Sequence, residues 1–308
     1  MPMFLKPRTK SYELQILHSL TPRMEFSNSL RTHFTNLNKG YIGEQNFETM
    51  LSNQLTIDLL ILPDTYFEVN QSLIQVDTLL FTPSSPYLFE VKNFEGDYFI
   101  EDSRWYGPSG LEVNNPLAQL QRIETTFRKL FQQLRLPRVD VKGYVVFPNP
   151  EFTLYNAPRN VPIILPTQIP SFLKKINRSS GKLSDKPFNI CQSLLENQAD
   201  PTPYSRIPEY HYDQLLKGVF CPNCHKLEII KSKNSLSCSE CNYFESKQEG
   251  LLRNIKEYNL LFPHRAISTN NIYEWCEKAI SRKSIQRVLL SEYVQEGKSR
   301  SIHYVKSN

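Results

Sequence analysis

Apolar residues recur with helical spacing in some stretches of the chain and with alternating or continuous spacing in others. Phe47, Leu51 and Leu55 fall on one face of a helix over residues 44–55. Strand-like runs follow at 65–70, 73–81 and 87–94. Asn115-Pro116 then reads as the start of a long helix reaching about residue 134, with asparagine as N-cap and proline in the first helical position. Leu117, Leu120, Ile123, Phe127, Leu130 and Phe131 form its apolar stripe. Further strands are expected at 139–147 and 161–165. The order helix, three strands, helix, strand describes an α/β unit.

Either side of this unit the pattern changes. Residues 1–39 read as helical and somewhat basic, either an appendage packed on the next unit or a basic arm. Ten of the 21 prolines lie between Pro148 and Pro208, so a loop-rich stretch and a linker are expected there. A small cysteine module follows, and then a helical pattern to the end. The expected domains are an extension over 1–37, an α/β domain over 38–176, a linker over 177–216, a cysteine module over 217–246 and a helical region over 250–308.

Composition adds little by itself. Of 308 residues, 40% are hydrophobic and 22% charged, as in an ordinary soluble protein. The formal net charge of +5 permits a nucleic-acid partner without identifying one. The first ten residues hold no apolar run of signal-peptide length, and the most apolar stretches fall far short of the roughly 20 residues of a membrane span. A cytoplasmic chain is expected, and its six cysteines then read better as metal ligands or core residues than as disulfides.

Chemistry concentrates at two places. Asp77 lies in one strand, and Glu90 and Lys92 share one face of the next. The segment Thr82-Pro83-Ser84-Ser85-Pro86 between them is turn chemistry. A hairpin centred between Pro83 and Ser84 sets Asp77 opposite Glu90, and a register two residues further along sets it opposite Lys92. Two carboxylates beside an ammonium can hold Mg²⁺ or Mn²⁺ and support phosphodiester hydrolysis. The same residues also read as a structural ion pair on a sheet. The second place is Cys221, Cys224, Cys238 and Cys241, a C-x2-C-x13-C-x2-C array that suits a tetrahedral Zn²⁺. Cys221–His225 also fits the C-x-x-C-H haem pattern, and each C-x-x-C fits a redox dithiol, but the pairing of two such motifs favours zinc. Cys191 and Cys276 read as buried apolar residues and His225 as a bystander.

Gly40-Tyr41-Ile42-Gly43-Glu44, Gln75-Val76-Asp77, Glu90-Val91-Lys92-Asn93 with Gly96, Trp105, and Asn115-Pro116-Leu117-Ala118-Gln119 together resemble the nuclease-related domain (NERD) family. That family is placed among the PD-(D/E)xK nucleases. The resemblance, over roughly residues 38–150, implies a restriction-endonuclease-like core and a metal-dependent nuclease acting on nucleic acid, DNA before RNA. It implies that Asp77 and Glu90 bind the metal, that Lys92 is the catalytic lysine, and that Glu44 and Gln119 support them. Val76 stands where the superfamily motif has proline. The competing expectation is a non-catalytic nucleic-acid-binding or regulatory protein that keeps the fold. Near the end, the pattern over 271–308 resembles a helix-turn-helix or winged-helix piece, with a wing strand at 301–305. Arg282, Lys283, Arg287, Lys298 and Arg300 make it the most basic segment of the chain and candidate phosphate contacts.

Overall fold

The computed structural model describes all residues except 180, 201–205, 228, 233, 299, 300, 307 and 308, and describes only the backbone of 229–231. The chain is mixed α/β and divides into two compact units, Met1–Lys10 with Thr35–Tyr204, and Ser11–Phe34 with Ser205–Asn308. In chain order the first segments are β1 (Pro2–Phe4), α1 (Tyr12–Leu20), α2 (Asn28–Gln54), β2 (Leu59–Val69), β3 (Ser72–Phe81) and β4 (Pro86–Val91). Then come β5 (Gly96–Glu101), β6 (Arg104–Tyr106), β7 (Glu112–Val113), α3 (Pro116–Gln133), β8 (Lys142–Val146), β9 (Phe152–Tyr155) and β10 (Ile163–Ile164). Helices α4 (Ile169–Asn177) and α5 (Asp185–Glu196) follow.

The first unit is built on a sheet ordered β1-β2-β3-β4-β8-β10. β2, β3 and β4 form an antiparallel meander, whereas β1 runs parallel to β2, and β8 parallel to both β4 and β10. Both faces of this sheet are covered, which is why its strands read as nearly continuous apolar runs. Leu60, Leu62, Leu79 and Leu88 pack on one face with Leu120, Ile123 and Phe127 of α3 and with Ile190 and Leu194 of α5. Their chain neighbours Leu59, Ile61, Leu80 and Phe89 point to the other face, against Phe47 and Leu51 of α2 and Leu173 and Ile176 of α4. A smaller sheet, β7-β6-β5-β9, supplies Trp105 and Phe152 to the α3-side core.

Several expectations are corrected here. Residues 1–39 begin with a strand rather than a helix, because Pro2–Phe4 complete the exposed edge of β2. The helix expected over 44–55 is the C-terminal part of the 27-residue α2, which runs through Gly40 and Gly43 without a break. The division between the units falls inside it. The proline-rich stretch contains α5, whose Ile190, Cys191 and Leu194 are buried. The smaller sheet was not foreseen, since its strands are at most six residues long and too short to show a period.

The second unit contains a three-stranded antiparallel sheet of β11 (Ile229–Lys231), β12 (Ser235–Cys238) and β13 (Phe244–Ser246). Helices α6 (Lys247–Leu261), α7 (Thr269–Trp275) and α8 (Arg282–Glu292) pack on one another, and a hairpin of β14 (Tyr293–Glu296) and β15 (His303–Lys306) follows. β15 occupies the stretch where a wing strand is expected, and α7 ends at Trp275. Arg23 is buried in this unit, paired with Glu257 at 2.7 Å and stacked over Trp275. No described helix is long and apolar enough to cross a membrane.

Candidate active site and cysteine cluster

The hairpin β3–β4 adopts the register centred between Pro83 and Ser84, with Thr78 opposite Phe89 and Leu79 opposite Leu88. One residue further, Asp77 faces Glu90. There the ladder between β3 and β4 stops, and the Asp77 carboxylate takes over, accepting from the Val91 N–H at 2.8 Å. β4 continues along β8, and the Lys92 N–H donates to the Val146 carbonyl at 2.9 Å. A cleft of about 570 Å³ opens at this point, lined by Asp77, Glu90, Lys92, Glu44 and Gln119 among others. The register on the other side of β3 brings in one more acid: Pro63–Thr78 and Thr65–Val76 flank Asp64 opposite Asp77.

Two helices complete the walls. Asn115 caps α3 by accepting from the Leu117 N–H at 2.9 Å, and Pro116 opens its first turn. This fixes the helix so that the Gln119 carbonyl oxygen accepts from Lys92 Nζ at 3.0 Å. Lys92 Nζ also pairs with Glu90 at 2.7 Å. From α2 comes Glu44, one residue after a glycine with a steric reason. A Cβ on Gly43 would sit 2.3 Å from the Cβ of Asn93, whose side-chain amide donates to the Lys39 carbonyl at 2.8 Å. Helix and strand end can approach this closely only with glycine there.

The acids are strongly desolvated. Asp77 is 7% exposed and Glu90 2%. Burial, followed by the neighbouring Asp77, pushes the carboxyls of Glu44 and Glu90 up to about 8. Asp77 is also raised, by burial, against the pull of Lys92 and the Val91 N–H. For Lys92, burial acts downward but Glu90 and Asp77 outweigh it, and its pKa is raised. The five carboxylates Glu44, Glu48, Asp64, Asp77 and Glu90 therefore lie in the field of three partly or fully buried cations, Lys92, Arg8 and Lys6, the last beside Asp64. Hard oxygen donors with a deficit of positive charge fit a divalent cation.

Arg8 was absent from the sequence-derived set. Its guanidinium bonds to Glu44, to Glu48 at 2.5 Å and to the Asp77 carbonyl at 2.6 Å. It lies 36 to 69 positions from these partners in a segment without periodicity, so nothing in the pattern signalled it. Trp105, by contrast, is 1% exposed and belongs to the core. A second groove of about 440 Å³ adjoins the cleft, sharing Gln75 and Gln119 with it and continuing past Asn115 to Arg122.

The cysteine cluster is a different kind of site. Ligand atoms of Cys221, Cys224, Cys238 and Cys241 all lie within 4.8 Å of one another. The sulfurs of Cys221 and Cys241 are 3.5 Å apart and those of Cys224 and Cys238 3.4 Å. Zn–S bonds of about 2.3 Å in a tetrahedron put sulfurs about 3.8 Å apart, so the set fits zinc, and it is too wide for disulfides. Hydrogen bonds from Asn223 and then the Tyr243 backbone pull the Cys241 thiol down to about 6, whereas burial raises the Cys221 thiol and the Cys224 thiol is pushed up to about 12, so the fit to zinc rests on the sulfur geometry. His225 lies outside this group, and Cys191 and Cys276 are buried. Arg282, Lys283, Arg287 and Lys298 are exposed around α8 and the turn after β14, with Arg282 stacked on Tyr273. Arg300 lies outside the described residues.

Residues 39–148 match the family model of the nuclease-related domain, NERD. That segment contains Glu44, Asp77, Glu90, Lys92 and Gln119, but neither Arg8 nor the four cysteines. No curated protein and no solved structure matches the chain.

Proposed function

We propose that this chain, through its nuclease-related domain, is a divalent-metal-dependent nuclease that hydrolyses phosphodiester bonds in DNA, in the cytoplasm. The observation that carries this reading is the meeting of Asp77, Glu90 and Lys92 where the β3–β4 ladder stops, inside a cleft with more carboxylates than cations. The core then corresponds to the restriction-endonuclease-like arrangement. Mg²⁺ or Mn²⁺, when bound, lowers the pKa of a coordinated water and offsets charge on the phosphate.

The protein's own groups divide the remaining work. Asp77 and Glu90 supply the oxygen ligands. Lys92, held between Glu90 and Gln119, orients the attacking water or meets the charge that develops on the phosphate oxygens. Gln119 fixes that lysine, and Glu44 closes the acidic wall from α2. The adjoining groove past Arg122 gives a nucleic-acid strand room to continue from the cleft. In the second unit, zinc held by Cys221, Cys224, Cys238 and Cys241 braces a small sheet. Arg282, Lys283, Arg287 and Lys298 form the phosphate-contacting face of a winged-helix-like region.

The test is cleavage of supercoiled and linear DNA by the pure zinc-loaded chain in Mg²⁺ or Mn²⁺. Wild type should cleave, and Asp77→Asn should lose at least about 100-fold, as expected for removal of a transition-state-stabilising group. Full activity in Asp77→Asn would remove this site from the reaction.

A further inference from the structure

The cation behind the acidic wall of the cleft has an unusual position. Arg8 lies in the segment that follows β1, outside the stretch matched by the family model, yet its side chain is only 2% exposed. All three guanidinium nitrogens are engaged with the acidic wall: Nη1 with Glu44, Nε with Glu48 at 2.5 Å, and Nη2 with the Asp77 carbonyl at 2.6 Å. Asp64, across the sheet from Asp77, adds to the negative field around it. An arginine stays protonated in any protein environment, so this is a permanent positive charge set among four acids. It is anchored there because β1 pairs with β2, which fixes the start of the chain beside the site. A divalent ion entering between Glu44 and Glu48 would meet that charge at close range and be repelled. At the pair Asp77 and Glu90 neither carboxylate has a hydrogen bond from Arg8, and the cation paired there, Lys92 on Glu90, is the one the proposed reaction uses.

We infer that Arg8 is a positioning residue that fills a second cation position: it holds Glu44 at the wall, so that the centre takes up a single divalent ion, at Asp77 and Glu90. This rests on the metal-dependent reading of the cleft. It also means that the segment before the family-matched stretch is part of the functional site.

The experiment counts Mn²⁺ bound to the full, zinc-loaded chain, from the loss of the free Mn²⁺ paramagnetic resonance signal. Circular dichroism checks folding of each variant. The expected counts are one ion in wild type, one in Arg8→Lys, which restores a cation, and two in Arg8→Met. Two ions in wild type, or an unchanged single ion in Arg8→Met, would overturn the role of Arg8. If Arg8→Met does not fold, Arg8→Gln, which keeps a hydrogen-bond donor but no charge, takes its place with the same expected count of two. DNA cleavage run in parallel separates the two claims. One ion in wild type and two in Arg8→Met, without cleavage, would sink the nuclease reading and leave Arg8 its role, and two ions in wild type with cleavage would do the reverse. No ion in wild type would overturn both.

Discussion

The carboxylate cleft and the cysteine cluster both suit metal ions, and they are assembled in opposite ways. The four cysteines come from 21 consecutive residues, and two tight turns bring their ligand atoms within 4.8 Å of one another with no other donor in the group. Such a site is closed. It has nothing left over to present to a substrate, and its sequence signature is complete because all its ligands are local. The cleft draws Asp77, Glu90 and Glu44 from two strands and a helix, is open over about 570 Å³, and already contains Lys92, with Arg8 bonded to Glu44 behind the wall. An open, partly compensated site leaves coordination positions for water and phosphate. On the proposed reading, the contrast separates a metal that holds a fold from one that does chemistry.

The largest expected effect lies on the cysteine side. Zinc binding by small modules contributes about 10–16 kcal/mol in isolated peptides, which is folding free energy. Chelation of zinc, or Cys238→Ser, should therefore open residues 221–246 to proteolysis, whereas Asp77→Asn should leave that stretch protected. Equal protection after zinc removal would show that the sheet stands without its ion.

A medium effect separates the two sites by pH. Glu44 and Glu90 are raised to about 8 without metal, chiefly by burial. Between their ordinary value near 4.5 and about 8, the folded chain therefore holds protons that the unfolded chain has lost. Their contribution to stability in metal-free protein falls as pH rises through that window, and Mn²⁺, which displaces the Glu90 proton, should reverse the loss. Calorimetry in buffers of different ionisation enthalpy should record proton release on Mn²⁺ binding at pH 6.5 and tighter binding at pH 8. Affinity independent of pH across this range would mean that Glu90 is not a ligand.

Smaller effects concern the supports of the cleft. Gly43→Ala forces a Cβ into Asn93 and should cost about 1–3 kcal/mol, in line with overpacking elsewhere. Asn115→Ala removes the cap of α3 and should cost about 1 kcal/mol. Chemical denaturation measures both. A neutral Gly43→Ala would mean that α2 can retreat from β4 at no cost.

The parts of the site that were legible in the sequence are those governed by local rules. A five-residue turn segment between two strands leaves few registers, so Asp77 opposite Glu90 was one of two choices, and the structure adopts it. Asn115-Pro116 announced α3, and the C-x2-C pairs announced the cluster. Arg8 and Asp64 were not legible, because they reach the site only through the pairing of β1 with β2 and of β2 with β3. The continuity of α2 through two glycines was hidden as well, since glycine weakens a helix locally and only packing on β4 compensates. Helix α5 was masked by prolines on both sides of its apolar face.

The most direct measurement concerns Lys92→Ala, with Mn²⁺ binding and DNA cleavage read on the same zinc-loaded preparation. The expected result is an ion still bound and cleavage lowered at least about 100-fold, the signature of a residue that serves the reaction. Wild-type cleavage in this variant would contradict the account, reducing Lys92 to a structural partner of Glu90. Absence of cleavage in wild type as well, with DNA still bound, would identify a nucleic-acid-binding protein that keeps a nuclease-like domain.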